Sequence, residues 1–294
     1  MMNTMTFEEV KKAATMDIAK ALGSDWITKE NPVAKNNRGV LTGITFMQEG
    51  SNGGPTIYAE DIYEMSLHIP YDEMISGLTE SIRESMRANE ETARFFDGLT
   101  FDKVKENLSV RLIDKSLNKE LLKSRVYMDC SGGLALLPDI ENDEWRAAIN
   151  EELLNQLGAD KDELFEAALE AAEKKHPAVL TDISEQLFGI PANLLAEDTS
   201  LKPDSLYVLS TENAYMGASV IMYPGMMSKL HDMFGSDFYV LPSSVHEVLV
   251  ISTGKDPSEL HATILSANSS VVDDVDLLSN NLFICDGSEL KIVF

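Results

Sequence analysis

Ser243-Ser244-Val245-His246-Glu247 brings hydroxyl, imidazole and carboxylate groups into five consecutive residues. These are the ingredients of nucleophilic catalysis, in which a base takes the hydroxyl proton and a carboxylate orients the base. A hydrolase centred on Ser244, His246 and Glu247, with Ser243 beside them, is one reading. Period argues against it: if residues 245–251 form a strand, His246 and Glu247 point to opposite faces, and the carboxylate cannot hold the neighbouring ring. No Gly-x-Ser-x-Gly elbow occurs, and His246-Glu247 lacks the second His four residues on that a zinc-protease helix supplies. The architectural alternative has the serines satisfying backbone groups at a turn, with His246 hydrogen-bonding at the start of a strand.

A second chemistry is electrostatic. Between residues 139 and 173 lie twelve carboxylates and two cations, Arg146 and Lys161. Asp139, Glu141, Asp143, Glu144, Asp162, Glu163, Glu166 and Glu170 are the candidate contacts for a basic protein partner. Residues 161–174 are amphipathic, with Leu164, Phe165, Ala168 and Leu169 inward and Glu163, Glu166, Glu170 and Glu173 outward, so a solvated helix face is the plainer reading. Residues 139–144 lack the sixth-position glycine and the spaced terminal Glu of an EF-hand. Across the chain, 24 basic side chains face 49 acidic ones, a formal charge of -25. That field disfavours direct nucleic-acid binding, which relies on clustered Lys and Arg. It suits a basic protein surface, and imitation of nucleic acid is one specific form.

Other chemistries find no pattern. His68, His176, His231 and His261 have no ligand-spaced companions, and neither a Walker loop nor a dinucleotide fingerprint nor a kinase signature occurs. No metal and no cofactor are expected. The glycine-rich residues 50–55 lack a following Lys-Ser/Thr and read as a hairpin loop. Cys130 and Cys285 sit in apolar strand-like contexts without metal or redox spacing, and read as buried free thiols. No apolar run approaches the roughly 18 to 20 residues that cross a bilayer, and MMNTMTFEEVKKAA has no signal-peptide core. A cytoplasmic protein with no membrane partner is the expectation.

The elements that must position these residues centre on 217–252. Alternation predicts a strand over 218–223, a helix over 226–234 ended by Gly235, then strands over 237–241 and 245–251. With an apolar strand at 206–209 they predict a mixed sheet carrying the helix on one face. Upstream, helices are expected over 6–22, 60–67, 71–89 and 91–96, with a strand pair at 36–47 and 56–58. Strands follow over 108–113, 126–130 and 134–137, and helices over 115–122, 151–157, 161–174 and 257–267. Residues 144–149 read as a strand or a helix opening. The last hairpin turns at Asp286-Gly287. The fold class is α+β, with a mixed sheet in the C-terminal half and N-terminal helices and a strand pair packed alongside. The polar segment 195–203 divides an N-terminal region with acidic helices, 1–200, from a C-terminal ββαββ-α-ββ region, 201–294, within one expected continuous unit of 294 residues.

Several of these residues also carry a resemblance. Gly39-Val40-Leu41-Thr42-Gly43-Ile44, Pro55-Thr56-Ile57-Tyr58, Asn150 to Leu154, and Glu163-Leu164 with Ala167-Ala168-Leu169 resemble a bacterial family known only as a domain of unknown function. Tyr223-Pro224-Gly225 and Ser236-Asp237-Phe238-Tyr239-Val240-Leu241-Pro242-Ser243-Ser244-Val245-His246-Glu247-Val248 are its most specific motifs. The similarity runs from about Asn36 to the C-terminus. It implies a cytoplasmic bacterial protein of the kind frequent in gut-dwelling anaerobes, and a strand at 145–149, without supplying an activity or catalytic residues. A non-enzymatic acidic interaction protein is the leading expectation. A hydrolase and a stable element of a larger assembly are the alternatives.

Overall fold

Thr6 and Glu9 set where the first helix begins. The Thr6 hydroxyl accepts the Glu9 amide at 3.4 Å and the Glu9 carboxylate accepts the Thr6 amide at 2.8 Å, the reciprocal pair of a capping box. The computed structural model describes residues 5–49, 54–96, 99–142, 146–186, 192–196 and 200–294, with the backbone alone for 87–96. Residues 50–53 of the expected glycine-rich loop, Asp143, Glu144 and Trp145, and residues 187–191 lie outside the described residues. The chain divides into two compact units, Met1–Leu99 and Thr100–Phe294.

In the first unit, α1 (Phe7–Leu22) is followed by β1 (Trp26–Lys35), β2 (Gly39–Gln48), β3 (Thr56–Tyr58), α2 (Ala59–His68) and α3 (Tyr71–Phe96). The sheet order is β1-β2-β3, antiparallel throughout. Val10, Ala14 and Ile18 of α1 close over Ile44 and Phe46 of β2, together with Ile62, Met74 and Ile82. The predicted strand pair is thus present as β2 and β3. The unpredicted β1 matches β2 residue for residue from Trp26 to Lys35. Its Lys29-Glu30-Asn31-Pro32 stretch hides the strand pattern, and Pro32 is tolerated there because β1 is an edge. Residues 91–96 continue α3 instead of forming a separate helix.

The second unit contains α4 (Phe101–Val104), β4 (Leu108–Asp114), α5 (Lys119–Leu122), β5 (Met128–Asp129), β6 (Leu134–Glu141) and β7 (Arg146–Ala148). Next come α6 (Glu151–Leu157), α7 (Lys161–Lys175), β8 (Ala178–Asp182), α8 (Ile183–Gln186) and β9 (Tyr207–Thr211). The remainder is α9 (Met226–Phe234), β10 (Phe238–Ser244), β11 (Glu247–Ser252), α10 (Pro257–Ser270), β12 (Phe283–Cys285) and β13 (Leu290–Ile292). One sheet runs β4-β6-β5 with β7 paired to β6, and a six-stranded sheet runs β13-β12-β10-β11-β9-β8.

The α+β class and the C-terminal sheet are as expected, but every strand pair in that sheet is antiparallel instead of mixed. The difference starts at one segment. Residues predicted as a strand over 218–223 form a 3-10 helix, Gly217–Met222. An apolar run buried on all sides fits a short buried helix as well as a buried strand, and periodicity alone does not separate them. Gly217 makes the local packing possible: a Cβ there would lie 2.2 Å from Ser210 Oγ and 2.5 Å from the His246 carbonyl oxygen. Without a strand before it, α9 is no crossover between parallel strands. β8 also precedes the polar segment 195–203 and still edges this sheet, so the sheet extends across that segment.

Candidate functional site

Strand register builds the most highly charged part of the interior. Ser109 pairs with Asp139 and Arg111 with Leu137 across β4 and β6, while Arg146 of β7 pairs with Glu141. Side chains alternate along a strand, so Ser109, Arg111, Asp139, Glu141 and Arg146 share one face. Asp139 is 1% exposed and accepts a hydrogen bond from Arg125 Nη2; Arg111 and Arg146 each approach its other oxygen to 3.8 Å. Arg125 donates further to the Pro138 carbonyl at 3.0 Å and the Ile149 carbonyl at 3.3 Å.

Glu141 carries the network to α7. It accepts Arg146 Nη2 at 2.6 Å and Nε at 3.1 Å, and it pairs with His176 Nε2 at 2.9 Å. His176 is the C-terminal cap of α7, and the preceding Lys175 lies 3.7 Å from the same carboxylate. Tyr223 donates to the His176 carbonyl at 3.2 Å. The end of α7 is thereby fastened to the sheet. Ser109, Glu141, Arg146, His176, Ser219 and Tyr223 border a cavity of ≈ 10 Å³, the size of one water. Burial pushes the Glu141 carboxyl up, but the hydrogen bonds from His176 and Arg146 outweigh it and hold the group at about 2. Burial lowers Arg111, opposed by Asp139.

This corrects two of the candidate partner contacts. Asp139 and Glu141 are buried and neutralised by arginine, so no partner reaches them. The other described candidates do face water. Asp160 and Glu163 cap α7 reciprocally, and Leu164, Phe165, Ala168 and Ala172 turn inward. Leu169, expected inward, is half-buried. Asp162, Glu163, Glu166, Glu170 and Glu173 are all exposed. Among the described residues none of these five forms an ion pair. Glu163, Glu166, Glu170 and Glu173 follow the three- and four-residue spacing that places them in one row.

The Ser–His–Glu residues are neighbours without being a catalytic chain. Ser243 Oγ donates to Glu247 Oε1 at 3.2 Å, and Ser244 Oγ accepts the His246 amide at 3.0 Å. The His246 ring turns elsewhere: Nδ1 accepts the Met216 amide at 3.2 Å and Nε2 lies 3.4 Å from Asp276 Oδ1. With one nitrogen accepting and the other facing a carboxylate, the imidazole ties Met216 to the segment ahead of β12. Asp276 was not among the expected partners. Among the described residues, no group of three or more His, Cys, Asp or Glu is arranged to hold a metal ion. Cys285 is buried, Cys130 is half-buried, and burial raises both thiols to about 11.

The sequence reading missed Arg111, Arg125 and His176 as a unit. The signal was present in period two: Ser109 and Arg111 alternate with Leu108, Val110 and Leu112, and Asp139 and Glu141 are in the same phase on the partner strand. Among the described residues no helix is long and apolar enough to cross a membrane. No curated protein and no solved structure matches the chain. A family described as one of unknown function, DUF5688, matches residues 7–286, and the chain belongs to that family.

Proposed function

We propose that the protein is a non-enzymatic binding protein that presents the acidic row of α7 to a basic protein surface. The observation that carries this reading is the row of exposed carboxylates that form no ion pair among the described residues, on a helix whose far end is locked to the sheet through Glu141 and His176. Like charges at this spacing destabilise an isolated helix. A basic partner would turn that repulsion into attraction, and the fixed helix lowers the ordering cost of binding. A nuclease or another nucleic-acid-binding protein is the partner type that such a row would imitate phosphate for. A bacterial cytoplasm, as the resemblance implies, is the setting we assign. The hydrolase reading has less support, since neither Ser244 nor Glu247 reaches the His246 ring.

A salt-graded pull-down from host lysate with the full chain as bait tests the proposal. Basic proteins recovered at low salt and released as salt rises are expected, because screening weakens exposed charge pairs. Recovery of nothing basic at low salt contradicts it.

A further inference from the structure

In a chain with 49 acidic and 24 basic side chains, one cleft reverses the sign. Lys115, Lys119 and Lys123 rim an open cleft of ≈ 560 Å³ floored by Leu122 and Tyr127, and none of its lining residues is acidic. Its framework is fixed from beneath. Asp114, 5% exposed, accepts the Ser116 amide at 2.7 Å and the Ser279 hydroxyl at 2.6 Å, and the Asn118 amide group donates to the Asp114 carbonyl at 3.0 Å. Lys115 N–H donates to the Gly133 carbonyl at 3.1 Å, joining the two sides of the cleft.

Two ammonium groups approach the Tyr127 ring, Lys161 Nζ at 5.3 Å and Lys115 Nζ at 5.9 Å from its centroid. Carboxylates already neutralise Lys115 through Asp129 and Lys123 through Glu120. Among the described residues, Lys119 and Lys161 have no such partner. The cleft therefore offers one unneutralised cation in its lining, Lys119, beside an aromatic ring and Leu122, and a second, Lys161, reaches that ring from outside the lining. Its volume falls in the range of small-molecule sites. Ammonium groups bind phosphate as point charges, and a tyrosine face takes a flat ring by offset stacking. We infer that this cleft binds a small phosphorylated ligand carrying a planar ring, of the mononucleotide class. Lys161 is the first residue of α7, but the site uses none of the acidic row and stands whether or not that row binds a partner.

Calorimetric titration of the full chain with AMP, adenosine and inorganic phosphate tests it. AMP is expected to bind, with adenosine and phosphate each weaker by about tenfold or more, as the loss of either half of a two-part contact dictates. Lys119→Gln with Lys161→Gln should weaken AMP by about tenfold while leaving the far-ultraviolet circular dichroism unchanged. Tyr127→Leu keeps the apolar floor and should remove the advantage of AMP over phosphate. Neutralising Glu166 and Glu170 should leave AMP binding intact, which separates this site from the proposed protein-binding face. Absence of AMP binding at about 1 mM, or affinity indifferent to the lysine pair, overturns the inference. So does a single-stranded oligonucleotide whose affinity exceeds that of AMP and grows with length.

Discussion

Asp139 sits at the meeting point of Arg111, Arg125 and Arg146; Arg146 is also held by Glu141, while among the described residues Asp139 is the one carboxylate paired with Arg111 and Arg125. Arg125 is 6% exposed, so it cannot turn to water if its partner is lost. Removing one member of such a buried pair typically costs about 3 to 5 kcal/mol, because a charge remains desolvated. Asp139→Asn is therefore expected to lower the urea midpoint by an amount of that order with an unchanged slope, and a loss below about 1 kcal/mol would contradict a buried role. Glu141 gives a pH signature. Its folded value of about 2 lies below its ordinary value of 4.5, so its contribution to stability is complete above the higher value and is lost as pH falls towards the lower one. Thermal unfolding of Glu141→Gln should show a shallower decline than the unsubstituted chain between those two values. Parallel curves would mean the carboxylate is not held by His176 and Arg146 as described.

At the scale of elements, the helices with caps were legible and the buried short segments were not. Thr6 with Glu9 and the αL Gly235 marked the ends of α1 and α9 in the sequence because each satisfies a backbone need that few residues meet. Residues 217–222 carried no such mark, and burial on all sides erased the period that separates strand from helix. Gly217 is the residue that decides the outcome. Gly217→Ala would force its new methyl against Ser210 Oγ, the His246 carbonyl and the Thr211 amide, and should cost about 1 to 3 kcal/mol or more by chemical denaturation. A neutral substitution would mean the segment shifts freely. The acidic row of α7 makes the opposite prediction. Glu166→Gln with Glu170→Gln relieves like-charge neighbours and should stabilise the chain by about 0.2 to 0.5 kcal/mol per pair relieved, with the gain shrinking in high salt. Destabilisation instead would show that those carboxylates hold the fold.

At the scale of the molecule, the charge of -25 was readable at once, but its distribution was not. Sequence placed Asp139 and Glu141 with Glu166 and Glu170 in one acidic field; register sends the first two inside beneath arginines and leaves the others in water. The same averaging hid the lysine cleft, although Lys115, Lys119, Lys123 and Tyr127 recur every four residues. The family match also begins at residue 7, well ahead of the residues that carried the resemblance. The central claim, that the row on α7 is the binding face, is tested most directly by comparing two variants of equal charge against a recovered basic partner. One neutralises Glu163, Glu166, Glu170 and Glu173; the other neutralises Asp72, Glu73, Glu80 and Glu84 on α3. Calorimetric affinity should fall by about tenfold or more in the first and by much less in the second, since only a local contact distinguishes them. Equal losses in both would reduce the interaction to overall charge and contradict the account.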